Sequence, residues 1–197
     1  MSPGREPSGP PDEALVRRSL HGDRSAFAEL VERYKGPICN LAYRMLGHRQ
    51  DAEDVAQEVF LHVFRALGQF DFDQRFSPWI YRIAANLCLD RLRRHRGLVI
   101  SLDAPLDQDH RFYRQIPDPT AGPQELAEKA ETGREIQAAI DALPEKYRMI
   151  LILRHFHDLS YEDLAGALDL PLGTVKTRLF RAREFLRRRL ASEDGEG

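Results

Sequence analysis

Apolar residues along this chain recur three and four positions apart, the spacing of amphipathic helices, rather than alternating as in half-buried strands. The helical pattern starts at Glu13. Asp23 is placed to cap a helix through Phe27, Leu30, Val31 and Tyr34. Gly36-Pro37 is expected to end that helix and start another, with Ile38, Leu41, Ala42 and Met45 on one side and Gly47 as its stop. Residues 51–67 give the clearest amphipathic helix. Ala56, Val59, Phe60, Val63 and Leu67 form its apolar stripe, while Asp51, Asp54 and Glu58 share a different face that also holds Leu61. Gly68 opens a loop, GQFDFDQRF. Ser77 as N-cap and Pro78 at the first helical position then predict a helix with Trp79, Ile80, Ile83, Leu87 and Leu92 inward.

Residues 97–122 lose the helical period and contain Pro105, Pro117 and Pro119. A segment of about 25 residues without periodicity is too long for a loop inside a compact domain and reads as a linker. A second helical module follows from Pro123. Its first helix, to about Asp141, has Leu126, Ala130, Ile136, Ala139 and Ile140 as core positions, and Leu143-Pro144 breaks it. The next helix, Glu145 to about His155, is expected to bury Tyr147, Ile150, Leu151 and Leu153. Ser160 and Asp163 have the spacing of a capping box for a short helix over Tyr161–Leu168. A turn at Asp169–Pro171 and a last helix from about Gly173 to Leu190 complete the pattern. No strand pattern exceeds Leu98–Leu102, and no repeat is present. The predicted fold is all-α, with two small helical domains joined by a long linker and a helix-turn-helix in the C-terminal one. The expected boundaries are a disordered tail at 1–12, a first domain at 13–96, the linker at 97–122, a second domain at 123–190 and a short acidic tail at 191–197.

Composition narrows the class. The chain has 30% charged and 42% hydrophobic residues, as an ordinary globular protein does. No apolar run approaches the roughly 20 residues of a membrane span, and the N-terminus lacks the apolar segment of a secretory signal. Cys39 and Cys88 are too few for a disulfide framework or a multi-cysteine zinc site, and each lies on an apolar helix position where a buried small side chain is expected. A reducing, cytoplasmic location follows. The net charge of −2 hides a strong asymmetry. Residues 81–96 carry five Arg against one Asp, a local +4, and residues 172–190 carry six Arg and one Lys against one Glu, a local +6, which leaves −12 for the remainder. Two basic segments on an acidic chain suggest two contacts with a polyanion; the plain alternative is a pair of solvated helix faces.

The strongest local signal is SYEDLAGALDLPLGTVKTRLFRARE, residues 160–184. A capped short helix, a tight turn and a longer basic helix make the helix-turn-helix arrangement. Leu164, Ala165 and Leu168 must pack on Val175 and Leu179 to set the interhelical angle. The second helix then offers Thr174, Lys176, Thr177, Arg178 and Arg181 to a major groove, where Lys and Arg donate to guanine edges and Thr meets a thymine methyl.

Residues 24–96 and 124–190 resemble the two domains of an extracytoplasmic-function (ECF) sigma factor of bacterial RNA polymerase. The resemblance is carried by DAEDVAQEVFLHVFRAL and FSPWIYRIAANLCLDRLRR, then by LPEKYRMILILRHFHDLSYEDLAGALDLPLGTVKTRLFRARE, about 140 residues in the right order around a linker. It implies that Asp51, Asp54, Gln57, Glu58 and Leu61 dock on the coiled-coil clamp of the largest core subunit, and an exposed acidic stripe with a Leu in it suits a basic helical partner. It implies that the loop from Gln69 to Phe76 and the following helix open and read the −10 element. There Phe70 stacks on a flipped base, Asn86 reads its edge, Trp79 adds an aromatic, and Arg82, Arg91, Arg93, Arg94 and Arg96 hold phosphates. Phe70, Phe72 and Phe76 as loop anchors are the competing reading. The last helix becomes the −35 reader through Thr174, Lys176, Thr177, Phe180 and Arg181, with Arg178 and Arg183 on phosphate. Phe180 has a competing place in the helix-turn-helix core. Lys176 stands where the family often has Arg and makes a point-charge contact rather than a planar fork. The linker is implied to thread toward the active-site and RNA-exit region.

Nothing in the sequence suggests catalysis. No Gly-rich phosphate loop, nucleophile elbow or paired-carboxylate site occurs, and no cofactor or metal is expected. His155 and His157 read as surface or turn residues. The expected partners are core RNA polymerase, promoter DNA and an anti-sigma factor, with no small-molecule substrate and no membrane insertion. The short C-terminal tail leads to the expectation that the extra domain of some relatives is absent. Two other classes compete: a helix-turn-helix regulator acting without polymerase, and a decoy that sequesters an anti-sigma factor without starting transcription.

Overall fold

A computed structural model describes residues 9–98 and 137–193. The expected linker beyond residue 98, the Leu98–Leu102 pattern beyond its first residue, and the helix from Pro123 up to residue 136 lie outside these residues. Among the described residues the elements are all helical. The first module holds α1 (Asp12–Leu20), α2 (Arg24–Leu46), α3 (Arg49–Ala66), a 3-10 turn (Leu67–Gln69) and α4 (Phe76–Leu98). The second holds a helical stretch over 137–141, then α5 (Glu145–His155), α6 (Tyr161–Leu168) and α7 (Leu172–Glu193).

Local chemistry explains most boundaries. Asp23 accepts from the N–H groups of Ser25 and Ala26 at the start of α2, and the Ser25 hydroxyl, then the Arg18 guanidinium and the Ala26 N–H, hold its carboxyl down at about 2. Gly47 ends α2 with φ +77°, a left-handed conformation open to glycine at little cost. Ser160 and Asp163 form the reciprocal capping box of α6, and Asp169 closes that helix in the left-handed region.

Two expected boundaries are corrected. Gly36-Pro37 does not break the chain: α2 runs unbroken for 23 residues, with Pro37 inside it. Proline in a helix interior costs about 3 kcal/mol. Leu30, Tyr34, Ile38, Leu41, Ala42 and Met45 all bury their side chains along the same helix, and each large one contributes about 1.5–3 kcal/mol. Packing therefore outweighs the local penalty. Pro37→Ala is expected to raise stability by about 1–2 kcal/mol in chemical denaturation, the helix gain less the entropy that proline removes from the unfolded chain. An unchanged or lowered midpoint would show that the fold uses a bend there. The second correction concerns α4, which starts at Phe76, so Ser77 lies inside it and does not cap it.

The two modules share one hydrophobic core, from Leu15 in α1 through Ile80 and Cys88 in α4 to Ile150, Leu164 and Leu179. Burial pushes the Cys88 thiol up to about 12, as befits a small core residue. Cys39, expected to be buried, is half-buried. Pro78 of α4 lies close to Gly166 of α6, where an added Cβ would sit 3.7 Å away. Polar contacts rim this seam. Arg75 makes a forked pair with Asp163 at 3.0 and 2.9 Å, and Arg82 reaches Asp169 at 3.0 Å. Arg148 of α5 donates to the carbonyls of Met45, Leu143 and Asp141, tying the C-terminal end of α2 to the second module.

His157, expected at the surface or in a turn, lies in the turn between α5 and α6 with its ring directed into this seam. Its Nδ1 is 3.1 Å from the Tyr81 hydroxyl, and its Nε2 is enclosed with no hydrogen-bond partner among the described residues. Burial, aided by the Arg44 charge, lowers its pKa to about 4. The turn before α6 folds inward here because Phe156 receives the Arg44 guanidinium 3.6 Å over its ring and Leu159 is buried.

Candidate nucleic-acid interface and docking face

α3 buries Ala52, Val55, Ala56, Val59 and Val63, which leaves the opposite side of the helix to solvent. Asp54 and Gln57 are exposed, the Glu58 carboxylate is 45% exposed, and Leu61 is 55% exposed. Asp51 is turned inward: its side chain is 20% exposed and lies 3.7 Å from both Arg91 and His95 of α4. Arg91 also reaches Asp54 at 3.5 Å. The structure thus joins a residue assigned to −10 DNA with two assigned to polymerase docking. Phe64, which the sequence reading passed over, is 64% exposed one turn beyond Leu61, edge-to-face with Phe27 at 5.2 Å between ring centroids. Its signal was an aromatic falling off the apolar stripe.

α4 buries Phe76, Ile80, Tyr81, Ala84, Ala85 and Cys88. That register leaves Arg82, Asn86, Arg93 and Arg94 exposed along its other side. Arg82 is held by Asp169, and Arg93 by Asp90 at 2.8 Å. The side chain of Arg96 is outside the described set. The preceding loop is built around aromatic rings. Phe70 is only 5% exposed and packs edge-on to Phe72, Phe76 and Trp79, with centroids 5.2, 5.8 and 5.3 Å away. This differs from the open stacking platform that the position of Phe70 suggested. In this conformation it anchors the loop together with Phe76, and base stacking by Phe70 requires the loop to open. Trp79 and Phe72 are half-buried at the edge of the same cluster.

In the second module Leu164, Val175 and Leu179 are buried and set the helix-turn-helix angle, while Ala165 and Leu168 pack against them. α7 points Val175, Leu179, Ala182 and Leu186 inward at spacings of three and four. Lys176, Thr177, Phe180, Arg181 and Arg183 are exposed, and Thr174 and Arg178 are half-buried at its border. Phe180, 66% exposed, has no part in the core. The Thr177 hydroxyl donates to the Gly173 carbonyl at 2.9 Å. Thr174, Thr177, Arg178 and Arg181 line a shallow hollow with Lys146 and Tyr147 of α5. Arg181 and Lys146 lower the Tyr147 pKa, so α5 adds a phenol and a cation to the basic face that sequence analysis confined to the last helix. Among the described residues no helix is long and apolar enough to cross a membrane, and no group of three His, Cys, Asp or Glu lies within metal-ligating reach.

The surfaces just described coincide with two known families. Residues 30–97 match sigma-70 region 2, and residues 133–186 match sigma-70 region 4. The chain is 38% identical over 176 residues to the ECF RNA polymerase sigma factor SigW of Bacillus subtilis, covering 89% of this chain and 94% of that one. It is 36% identical over 180 residues to the ECF RNA polymerase sigma-E factor of Escherichia coli K12, covering 89% and 92%. Among solved structures, CnrH in complex with the cytosolic domain of CnrY superposes with a TM-score of 0.67 at 26% identity, covering 92% of this chain and 97% of that one. Region 2, region 4 and full-length relatives all agree: the chain belongs to the ECF sigma factors of the sigma-70 family.

Proposed function

We propose that this promoter-directing sigma factor divides its work among three surfaces. The outward face of α3, with Asp54, Gln57, Glu58 and Leu61 at its centre, docks on a basic helical part of core RNA polymerase. The 69–76 loop and the exposed side of α4 take the −10 element, with Asn86 reading a base and Arg82, Arg93 and Arg94 on phosphates. The outer face of α7 takes the −35 element in the major groove. Polymerase supplies the chemistry, and an anti-sigma factor holds the free protein. The observation that carries this reading is the register of the two arginine-rich helices. Each gives only its apolar side to the shared core, leaving Asn86 and Arg94 on one, and Lys176 and Arg181 on the other, free to meet DNA.

Transcription in vitro with purified core polymerase tests it. Lys176→Ala with Arg181→Ala is expected to remove dependence on the −35 element, weakening open-complex formation on the order of 100-fold, as two lost base or phosphate contacts would. Binding to core stays intact. Retained −35 dependence would remove α7 from the role. Duplex binding at full strength without polymerase would favour a stand-alone helix-turn-helix regulator instead.

A further inference from the structure

We propose that α1 is a positioning brace for the −10-reading loop, acting through Glu13 and Arg17; this rests on the assignment of that loop and α4 made above. Glu13 Oε1 accepts from the Phe76 N–H at 3.0 Å, across 63 residues of sequence. The first N–H groups of a helix have no acceptor within it, and a carboxylate there also meets the favourable end of the helix dipole. Ser77 lies inside α4, past the position from which it could cap the helix. One turn along α1, the Arg17 guanidinium sits 4.0 Å over the Phe72 ring.

Glu13 and Arg17 are four residues apart on one face of α1, so they grip the loop at Phe76, where it closes, and at Phe72, near its start. Around Phe72, Asp71 accepts from the N–H of Asp73 at 3.0 Å and from the Gln74 side chain at 3.2 Å, and its carbonyl accepts from Gln74 N at 3.1 Å. The two gripped residues supply two of the three rings that enclose Phe70.

α1 can bear the load because it is anchored. Leu15 and Val16 are fully buried, and the two Asp12 carboxylate oxygens take Arg33 and the Tyr34 hydroxyl, each at 2.5 Å. The Tyr34 ring in turn lies 5.5 Å from that of Phe76. A loop held at two points from outside itself presents its base-reading residues with little entropy left to lose. Glu13 and Arg17 thereby set −10 discrimination without touching DNA.

The test uses the full chain with core polymerase on a promoter library randomised across the −10 element. Glu13→Ala and Arg17→Ala are each expected to broaden the selected sequences and to lower open complexes on the best one about 10-fold, with core affinity and −35 dependence unchanged. Glu13→Gln keeps an oxygen that can accept from Phe76 N and retains the wild-type profile. Trp79, the single tryptophan, reports the loop directly, and its fluorescence becomes more accessible to acrylamide in both alanine variants. Should Glu13→Ala fail to fold, Arg17→Ala, an exposed residue, carries the test. Unchanged −10 selection in folded Glu13→Ala and Arg17→Ala overturns the brace. If Asn86→Ala also leaves −10 selection untouched, and Arg93→Ala with Arg94→Ala leaves open-complex formation at its full level, the assignment of the loop and α4 fails with it.

Discussion

Reversing two charges on α3, Asp54→Arg with Glu58→Arg, is expected to abolish co-purification of the protein with core RNA polymerase while leaving the fold intact. The change turns the centre of the docking face from two negative to two positive charges. Truncating one partner of a desolvated charge pair at an interface costs about 2–5 kcal/mol, and reversal adds like-charge repulsion, so affinity falls by at least about 1,000-fold. The folded state loses little. The ion pairs removed are Asp54 with Arg91 at 3.5 Å and Glu58 with His62 at 3.9 Å, both at the surface, where such pairs contribute about 0–1 kcal/mol. Asp51→Ala is a graded control. Asp51 faces Arg91 and His95 rather than solvent, so its loss should weaken docking less than loss of Asp54. A charge-reversed protein that still co-elutes with core would sink the docking assignment.

Acidification from pH 7 toward 4 is expected to loosen the packing of the two modules on each other. His157 is neutral in the seam, with a pKa lowered to about 4 against an ordinary 6.5. The unfolded or separated chain binds that proton first, so the stability His157 gains by being buried neutral is complete above pH 6.5. It is lost as pH falls from there through 4, and amounts to on the order of 3 kcal/mol. Protonation places a cation among enclosed groups, beside the Arg44 guanidinium and under the Tyr81 hydroxyl, with no carboxylate paired to it among the described residues. Small-angle scattering and denaturant unfolding across this range measure the effect. His157→Phe keeps an aromatic ring against Tyr81 and removes the titrating group, so its unfolding midpoint should lose most of the slope between pH 6.5 and 4. The same slope in that variant would place the acid sensitivity elsewhere.

Helix content and most helix ends were legible because they depend on neighbours in sequence. Asp23, Gly47 and the Ser160–Asp163 box each satisfy backbone groups within one turn. The same holds for the outward residues of α3 and α7, whose helical register alone separates Asp54 from Val55 and Arg181 from Leu179. Pro37 and Ser77 show the limit. Proline breaks a helix locally and serine caps one, but buried Leu30, Tyr34, Ile38 and Leu41 carried α2 through the first. A carboxylate from α1 took over the duty of the second. No local rule sees a partner 63 residues away.

Side-chain periodicity and short motifs were enough to place the helices, the two basic faces and the family. Tertiary structure alone decided that Phe70 is closed inside a ring cluster, that His157 sits between the modules, that Arg82 and Arg91 are held by Asp169 and by Asp51 and Asp54, and that Glu13 caps α4. The physical reason is the range of the forces involved. Helical periodicity and capping act over a few residues, whereas burial and ion pairing are settled only when distant segments displace the same water.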